Sequence, residues 1–328
     1  MSKPLITIVV PCYNERHVFP LLREALLELA QGLSPRYDVE FLIVDDGSDD
    51  GSWEQILAFA GEDQRVKAIS LTRNFGHQAA LTCGYDFAQG DAVVTMDADL
   101  QDPPEVVHDL VREWEKGYDV VYAVRVRREG ESRFKCWTAS VFYRMIRVLG
   151  QTGAPPDSGD FRLMSKRSVA AFRTLRERHR YIRGLVGWLG FRASIVKYQR
   201  KPRPAGMTKY TLSRMIQFAV DAIVSSSTVP LRLAYFLALF SALPFLAYLC
   251  YAVFMRLFFN VPLVPGWSSL ILSVIILGAI ILFSMGIMGE YVGRIYEQSK
   301  NRPLYLVRSN EEPSHGESAE SGEPAPRV

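Results

Sequence analysis

The sequence predicts an α/β protein with a mostly parallel, doubly wound sheet, followed by interfacial helices and a two-helix transmembrane hairpin. Three observations carry this. Short apolar, β-branched runs alternate with helix-periodic segments through the first third of the chain, which is the pattern of βαβ units. Two uncharged runs, residues 233–255 and 267–289, are each long enough to cross a ~30 Å hydrocarbon core as a helix. Lys197, Arg200, Lys201, Arg203, Lys209 and Arg214 precede the first run, and Arg294, Lys300, Arg302 and Arg308 follow the second, whereas the link over residues 258–266 carries no Lys or Arg. By the positive-inside rule both ends and everything before the first run face the cytoplasm.

Composition narrows the classes further. The net charge of +3 over 328 residues disfavours a nucleic-acid protein. Cys12, Cys83, Cys136 and Cys250 lack metal or redox spacing and read as reduced thiols. The first apolar run, residues 5–10, is too short for a signal peptide and ends at Pro11.

In chain order, residues 5–10 read as a buried strand, 18–29 as a helix, 39–44 as a second strand and 53–59 as a helix. Residues 66–71 form a third strand, 78–88 a helix and 92–96 a fourth strand. Residues 106–116 are helical and 119–124 a fifth strand. Residues 132–149 read as an amphipathic helix with Phe134, Trp137, Val141, Phe142, Met145 and Leu149 on one face. Residues 155–163 are a turn leading into a short strand. The expected domains are a catalytic unit over 1–207, interfacial helices over 208–231 and the hairpin over 232–290. A cytosolic helix and extension follow over 291–308, then a disordered acidic tail over 309–328.

Open α/β sheets bind ligands at the carboxyl ends of their strands. After the first strand comes Pro11-Cys12-Tyr13-Asn14-Glu15, with no Gly-x-Gly-x-x-Gly, which disfavours a dehydrogenase. Asn14 and Glu15 are equally able to cap the next helix. After the second strand, Asp45 and Asp46 sit in a Gly/Ser-rich turn, where carboxylates suit a ribose hydroxyl or a base N–H. After the third, Arg73 is a candidate phosphate or base contact, while His77 reads as a helix-start histidine rather than a metal ligand. The fourth strand delivers Asp97 and Asp99 to a loop that Pro103-Pro104 prevents from continuing. On spacing alone the pair fits an acidic turn or a site for Mg²⁺ or Mn²⁺, which hard oxygens favour.

Taken together, Pro11-Cys12-Tyr13-Asn14-Glu15, Val44-Asp45-Asp46-Gly47-Ser48, Arg73-Asn74-Phe75-Gly76 and the run from Asp97 through Gln101 to Glu105 stand in order at successive strand ends. This arrangement resembles the family 2 glycosyltransferases of GT-A fold, and within them the polyprenyl-phosphate glycosyltransferases. The resemblance implies that Pro11, Tyr13, Glu15 and Asp46 hold the nucleoside, that Asp97 and Asp99 frame a metal–diphosphate, and that Gln101 supports the metal. It matches residues 157–163 to the acceptor-side motif, placing Asp157 where the catalytic base is often assigned, with Arg162 nearby. A lipid monophosphate has a second pKa near ~6 and needs little help losing a proton at neutral pH, so Asp157 is expected mainly to orient the acceptor. Arg200, Arg203, Lys209 and Tyr210 lie in a basic loop that the resemblance places over the phosphates, with Thr208 standing where the family has Ser.

The implied reaction is an inverting transfer from a nucleotide sugar, UDP-glucose first, to undecaprenyl phosphate at the cytoplasmic face of a bacterial inner membrane, serving cell-envelope glycan modification. Asp99 and Asp157 are the expected catalytic carboxylates. GDP-mannose, UDP-N-acetyl sugars and a UDP-4-amino-arabinose are the alternative donors. A homo-oligomer is expected, with a tetramer found among relatives. A processive polysaccharide synthase would carry Gln-x-x-Arg-Trp, and this chain has no Arg-Trp pair. A non-catalytic adaptor of the same fold would be expected to have lost the strand-end charges, and they are present.

Overall fold

The structure is a computed structural model and describes residues 2–126, 155, 158–199, 229–259 and 266–311. The strands β1 (Leu5–Cys12), β2 (Asp38–Asp45), β3 (Val66–Leu71) and β4 (Ala92–Thr95) alternate with helices α1 (Phe19–Leu33), α2 (Ser52–Glu62) and α3 (His77–Phe87). Then follow α4 (Val106–Glu115), β5 (Val120–Arg125), β6 (Ser158–Ser165), α5 (Lys166–Arg173), α6 (Ile182–Trp188) and β7 (Ala193–Tyr198). Two long helices, α7 (Val229–Phe259) and α8 (Trp267–Ser299), and a last strand, β8 (Val307–Glu311), complete the described chain.

The strands form one sheet in the order β7-β5-β6-β4-β1-β2-β3-β8. β1 pairs in parallel with both β2 and β4, and β2 with β3. Alternation along β1 sorts its side chains to two faces. Ile6, Ile8 and Val10 pack with Leu22 and Leu26 of α1, Ile56 and Phe59 of α2, and Leu110 of α4. Val9 faces the other way, with Leu81 and Tyr85 of α3, Phe172 of α5 and Ile182 of α6. A sheet buried on both faces needs near-continuous apolar strands, which is why residues 5–10 and 39–44 read so clearly in the sequence.

Two strands depart from the parallel pattern. β6 inserts between β4 and β5 and runs antiparallel to both. Its first residues therefore lie at the carboxyl end of β4, where ligands are expected. β8 runs antiparallel to β3 and closes the other edge. This corrects the sequence boundary at residue 309: Val307–Glu311 is a strand, because its backbone completes an otherwise open ladder. Thr72 N–H donates to Leu306 O at 2.9 Å, and the Tyr305 hydroxyl donates to Asp86 at 2.8 Å, so the segment after α8 is fastened to the sheet domain.

α7 and α8 are 31 and 33 residues long and lie against one another. Among the described residues one stretch, Ser273–Ser299, is long and apolar enough to cross a membrane, and none of its apolar window is buried in protein. The expected helix over 132–149 and the interfacial segment over 208–228 lie outside the described residues.

Candidate active site

Four loops meet at the carboxyl ends of β1 to β4, and short hydrogen bonds tie them together. Asn14 adopts a left-handed backbone (φ 55°), uncommon for a residue with a side chain. Its N–H donates to Ser48 Oγ at 3.0 Å and its Oδ1 accepts Asp49 N–H at 3.0 Å. Glu15 N–H donates to Ser52 Oγ at 3.0 Å. The β1 and β2 loops are thus one unit. Gly47 (φ 69°) completes it: a Cβ there would lie 2.5 Å from the Arg73 carbonyl carbon, so only glycine lets the β2 and β3 loops approach.

The two aspartates after β2 have different work. Asp45 is 1% exposed; its Oδ1 accepts Ser48 N–H at 3.1 Å and its Oδ2 accepts the Ser70 hydroxyl at 3.0 Å. Asp46 is 2% exposed and accepts Phe75 N–H at 2.8 Å and Gly76 N–H at 2.9 Å, one on each oxygen. Burial raises its pKa while those two amides pull it back. Asp46 therefore shapes the Arg73-Asn74-Phe75-Gly76 loop. Arg73 is exposed, with its guanidinium 4.1 Å from the Phe75 ring centroid. Tyr13, just past β1, is 45% exposed, and Pro11 within β1 is buried.

Asp97 and Asp99 emerge just past β4. Asp99 is 8% exposed and its Oδ1 accepts Gln101 N–H at 3.1 Å, which closes the loop. Leu100 between them is left-handed (φ 53°), a costly conformation that concentrates where geometry is functional. Asp97 is more open, with 28% of its side chain exposed. Burial raises its pKa, and the charges of Asp160, Asp102 and Asp99 raise it further against the pull of His77. A cation bound beside Asp97 would favour its ionised form against both burial and the neighbouring carboxylates. Among the described residues no three His, Cys, Asp or Glu side chains form a ready-made metal cage. Two carboxylates of hard oxygen fit Mg²⁺ or Mn²⁺ whose other ligands come from a diphosphate.

Sequence reasoning missed the cluster next to this pair. His77 Nε2 stands 3.6 Å from Asp97 Oδ1 and 3.5 Å from Asp160 Oδ2. Burial lowers its pKa, but the hydrogen bond to Asp160 and the charge of Asp97 outweigh that and leave it raised. Asp160, 5% exposed, also takes Arg162 and Arg183. Burial would raise its pKa; Arg183, His77 and Arg162 reverse this and hold it well below the usual carboxylate range. Arg162 is wholly buried, with Nη2 donating to Gly159 O and Asp160 and its guanidinium 5.9 Å from the Tyr122 ring centroid. β6 turns Arg162, which the resemblance put near Asp157, into the α3 side of the sheet, where it braces Asp160.

A second missed group fastens the carboxylate loop from behind. Asp102 is wholly buried and accepts the Tyr198 hydroxyl at 2.5 Å, with Arg125 Nη2 at 3.5 Å; Arg125 Nε donates to Tyr198 at 3.0 Å. Asp102 and Asp160 stood inside motifs already noted in the sequence, but nothing marked them as buried hubs. His77 does open α3 as its sequence position suggested, but its place between two carboxylates, like the roles of Arg183, Arg125 and Tyr198, carried no signal, since sheet order alone brings these residues together. Asp157, Arg200, Arg203, Lys209 and Tyr210 lie outside the described residues.

Strand-end carboxylates with arginines set around them mark the carboxyl edge of this α/β sheet as the candidate ligand site. The chain belongs to glycosyl transferase family 2, whose family model matches residues 7–172. It is 42% identical over 304 residues to the glycosyltransferase YkcC of Bacillus subtilis (strain 168), covering 93% of each chain. It is 38% identical over 307 residues to the bactoprenol glucosyl transferase of Shigella phage SfV, covering 94% of this chain and 99% of that one. A prophage bactoprenol glucosyl transferase homolog of Escherichia coli (strain K12) is 36% identical over 303 residues, covering 92% and 98%.

Proposed function

We propose that this chain transfers glucose from UDP-glucose to bactoprenol (undecaprenyl) phosphate at a membrane surface. The observation that carries the reading is the Asp97–Asp99 pair at the β4 end in a chain similar to bactoprenol glucosyl transferases over more than nine-tenths of its length. The apolar, unburied stretch in α8 supports a membrane setting. In this reading α7 and α8 are two spans, residues 260–265 face outward, and both termini with the sheet domain are cytoplasmic, as the charge bias requires.

One displacement suffices. A phosphate oxygen of the lipid forms a bond to the anomeric carbon as the bond to the UDP oxygen breaks, and the anomeric configuration inverts. The lipid phosphate is already ionised, so the task of the protein is to bring two anions to one sugar. Mg²⁺ or Mn²⁺ held by Asp97 and Asp99, with Gln101 beside them, would neutralise the diphosphate. Tyr13 offers a stacking face to the base, and Glu15 lies beside it. Asp45 and Asp46 act through the loops they pin, and Arg73 is placed for the nucleotide. Asp157 orients the acceptor, and Arg200, Arg203, Lys209 and Tyr210 cover its phosphate.

A donor panel tests the proposal. Purified protein, undecaprenyl phosphate and Mg²⁺ are incubated with labelled UDP-glucose, UDP-galactose, UDP-N-acetylglucosamine or GDP-mannose. Organic-extractable label is expected from UDP-glucose, and its loss in Asp99→Ala. No extractable label from any donor, or equal label from Asp99→Ala, contradicts the reading.

A further inference from the structure

Asp160 draws more positive charge than one carboxylate needs. Arg162 Nη2, from within the same strand, reaches its Oδ1 at 2.8 Å, and Arg162 is wholly buried. That pair alone neutralises a buried acid. Yet Arg183 of α6 grips the same carboxylate, Nε to Oδ1 at 3.2 Å and Nη2 to Oδ2 at 2.9 Å. Its side chain is 37% exposed, and among the described residues its Nη1 has no hydrogen-bond partner. A two-point grip fixes the plane of a guanidinium, so the remaining N–H edge is held in one direction instead of swinging. The Asp160 oxygen that takes Arg183 Nη2 lies 3.5 Å from His77 Nε2, itself 3.6 Å from Asp97 Oδ1, so Arg183 joins the cluster beside the carboxylate pair.

Arg162 is sealed in the interior, whereas Arg183 holds the same carboxylate from a part-exposed position and turns its remaining edge outward. We propose that Arg183 binds a phosphate oxyanion of a reacting ligand beside Asp97, and that Asp160 is the positioning residue that aims it. The inference rests on the glycosyl-transfer reading above. The oxyanion has two sources, the diphosphate of the donor or the monophosphate of the lipid acceptor, and the planar fork of arginine suits either.

Calorimetric titration of the full chain in detergent separates these. The probes are UDP, uridine and a short-chain isoprenyl monophosphate. Absence of UDP binding to the wild type overturns the glycosyl-transfer reading itself, and the Arg183 assignment with it. Given wild-type binding, Arg183→Gln is expected to weaken UDP or the isoprenyl phosphate by about tenfold to a hundredfold, the range for one charged hydrogen bond, with uridine unchanged. The ligand that loses affinity names the source. Arg183→Lys keeps the charge without the fork and is expected to fall between; it carries the test if Arg183→Gln does not fold. Both phosphate ligands within about twofold of wild type, or an equal loss for uridine, overturn the assignment.

Discussion

Asp97 and Asp160 both approach His77 Nε2, and their pKa values are driven in opposite directions. Asp97 has its pKa raised by burial and by the neighbouring carboxylates, so the folded state binds its proton more tightly than the unfolded chain does. Its ionised form therefore costs stability above its folded pKa, and the cost disappears as the pH falls below the unfolded value. Asp97→Asn is expected to melt higher than wild type at pH 7 in EDTA, with the gain vanishing in acid, while losing transfer activity. A lower melting temperature at pH 7 contradicts this. Asp160 behaves inversely: with its pKa depressed, it contributes stability above the unfolded value that is lost as the pH falls through the folded one. Asp160→Asn is expected to melt lower at pH 7, and the gap should close in strong acid. An equal melting temperature at pH 7 contradicts the hub role. Asp97 and Asp99 were legible in the sequence because both lie on one loop. Asp160, His77 and Arg183 were not, because they come from β6, α3 and α6 and meet only through sheet order. Arg162 was found but its direction was not, since a strand residue faces core or site according to a register no motif shows.

At the scale of elements, the loops work because the helices beneath them seat closely on the sheet. α3 approaches β1 at Gly84, where a Cβ would stand 2.1 Å from Val9 Cγ1. Gly84→Ala is expected to cost about 1–3 kcal/mol through overpacking, read as a lower urea midpoint at unchanged slope. No loss would mean that α3 slides freely over β1. The β8 strap is the second element-scale device. It lies along β3, whose carboxyl end carries Arg73, and Arg308 Nη2 donates to Thr72 O at 2.9 Å. Tyr305→Phe removes the bond to Asp86 and is expected to cost about 1 kcal/mol, since Arg176 stays on that carboxylate. A midpoint equal to wild type contradicts it. The parallel centre of the sheet was legible from its apolar runs. β8 was not, because a short polar segment becomes a strand only when an open edge accepts it.

For the whole molecule, the sheet domain and the long helices are one device: Arg178 N–H donates to Gln298 Oε1 at 2.8 Å, fastening the end of α8 beside α6. A site for a lipid phosphate must sit at headgroup height, and this contact fixes the sheet relative to the helix. With two spans, Asn260→Cys in a Cys250→Ser background is expected to react with a membrane-impermeant maleimide on intact spheroplasts. Labelling only after lysis contradicts that orientation. The central claim is a single inverting displacement onto a lipid phosphate, and nuclear magnetic resonance of the purified lipid product tests it most directly. UDP-glucose is α-linked, so the account expects β-glucosyl phosphate on the lipid with one UDP released per glucose; an α-linked product, or glucose free in water with none on the lipid, would contradict it.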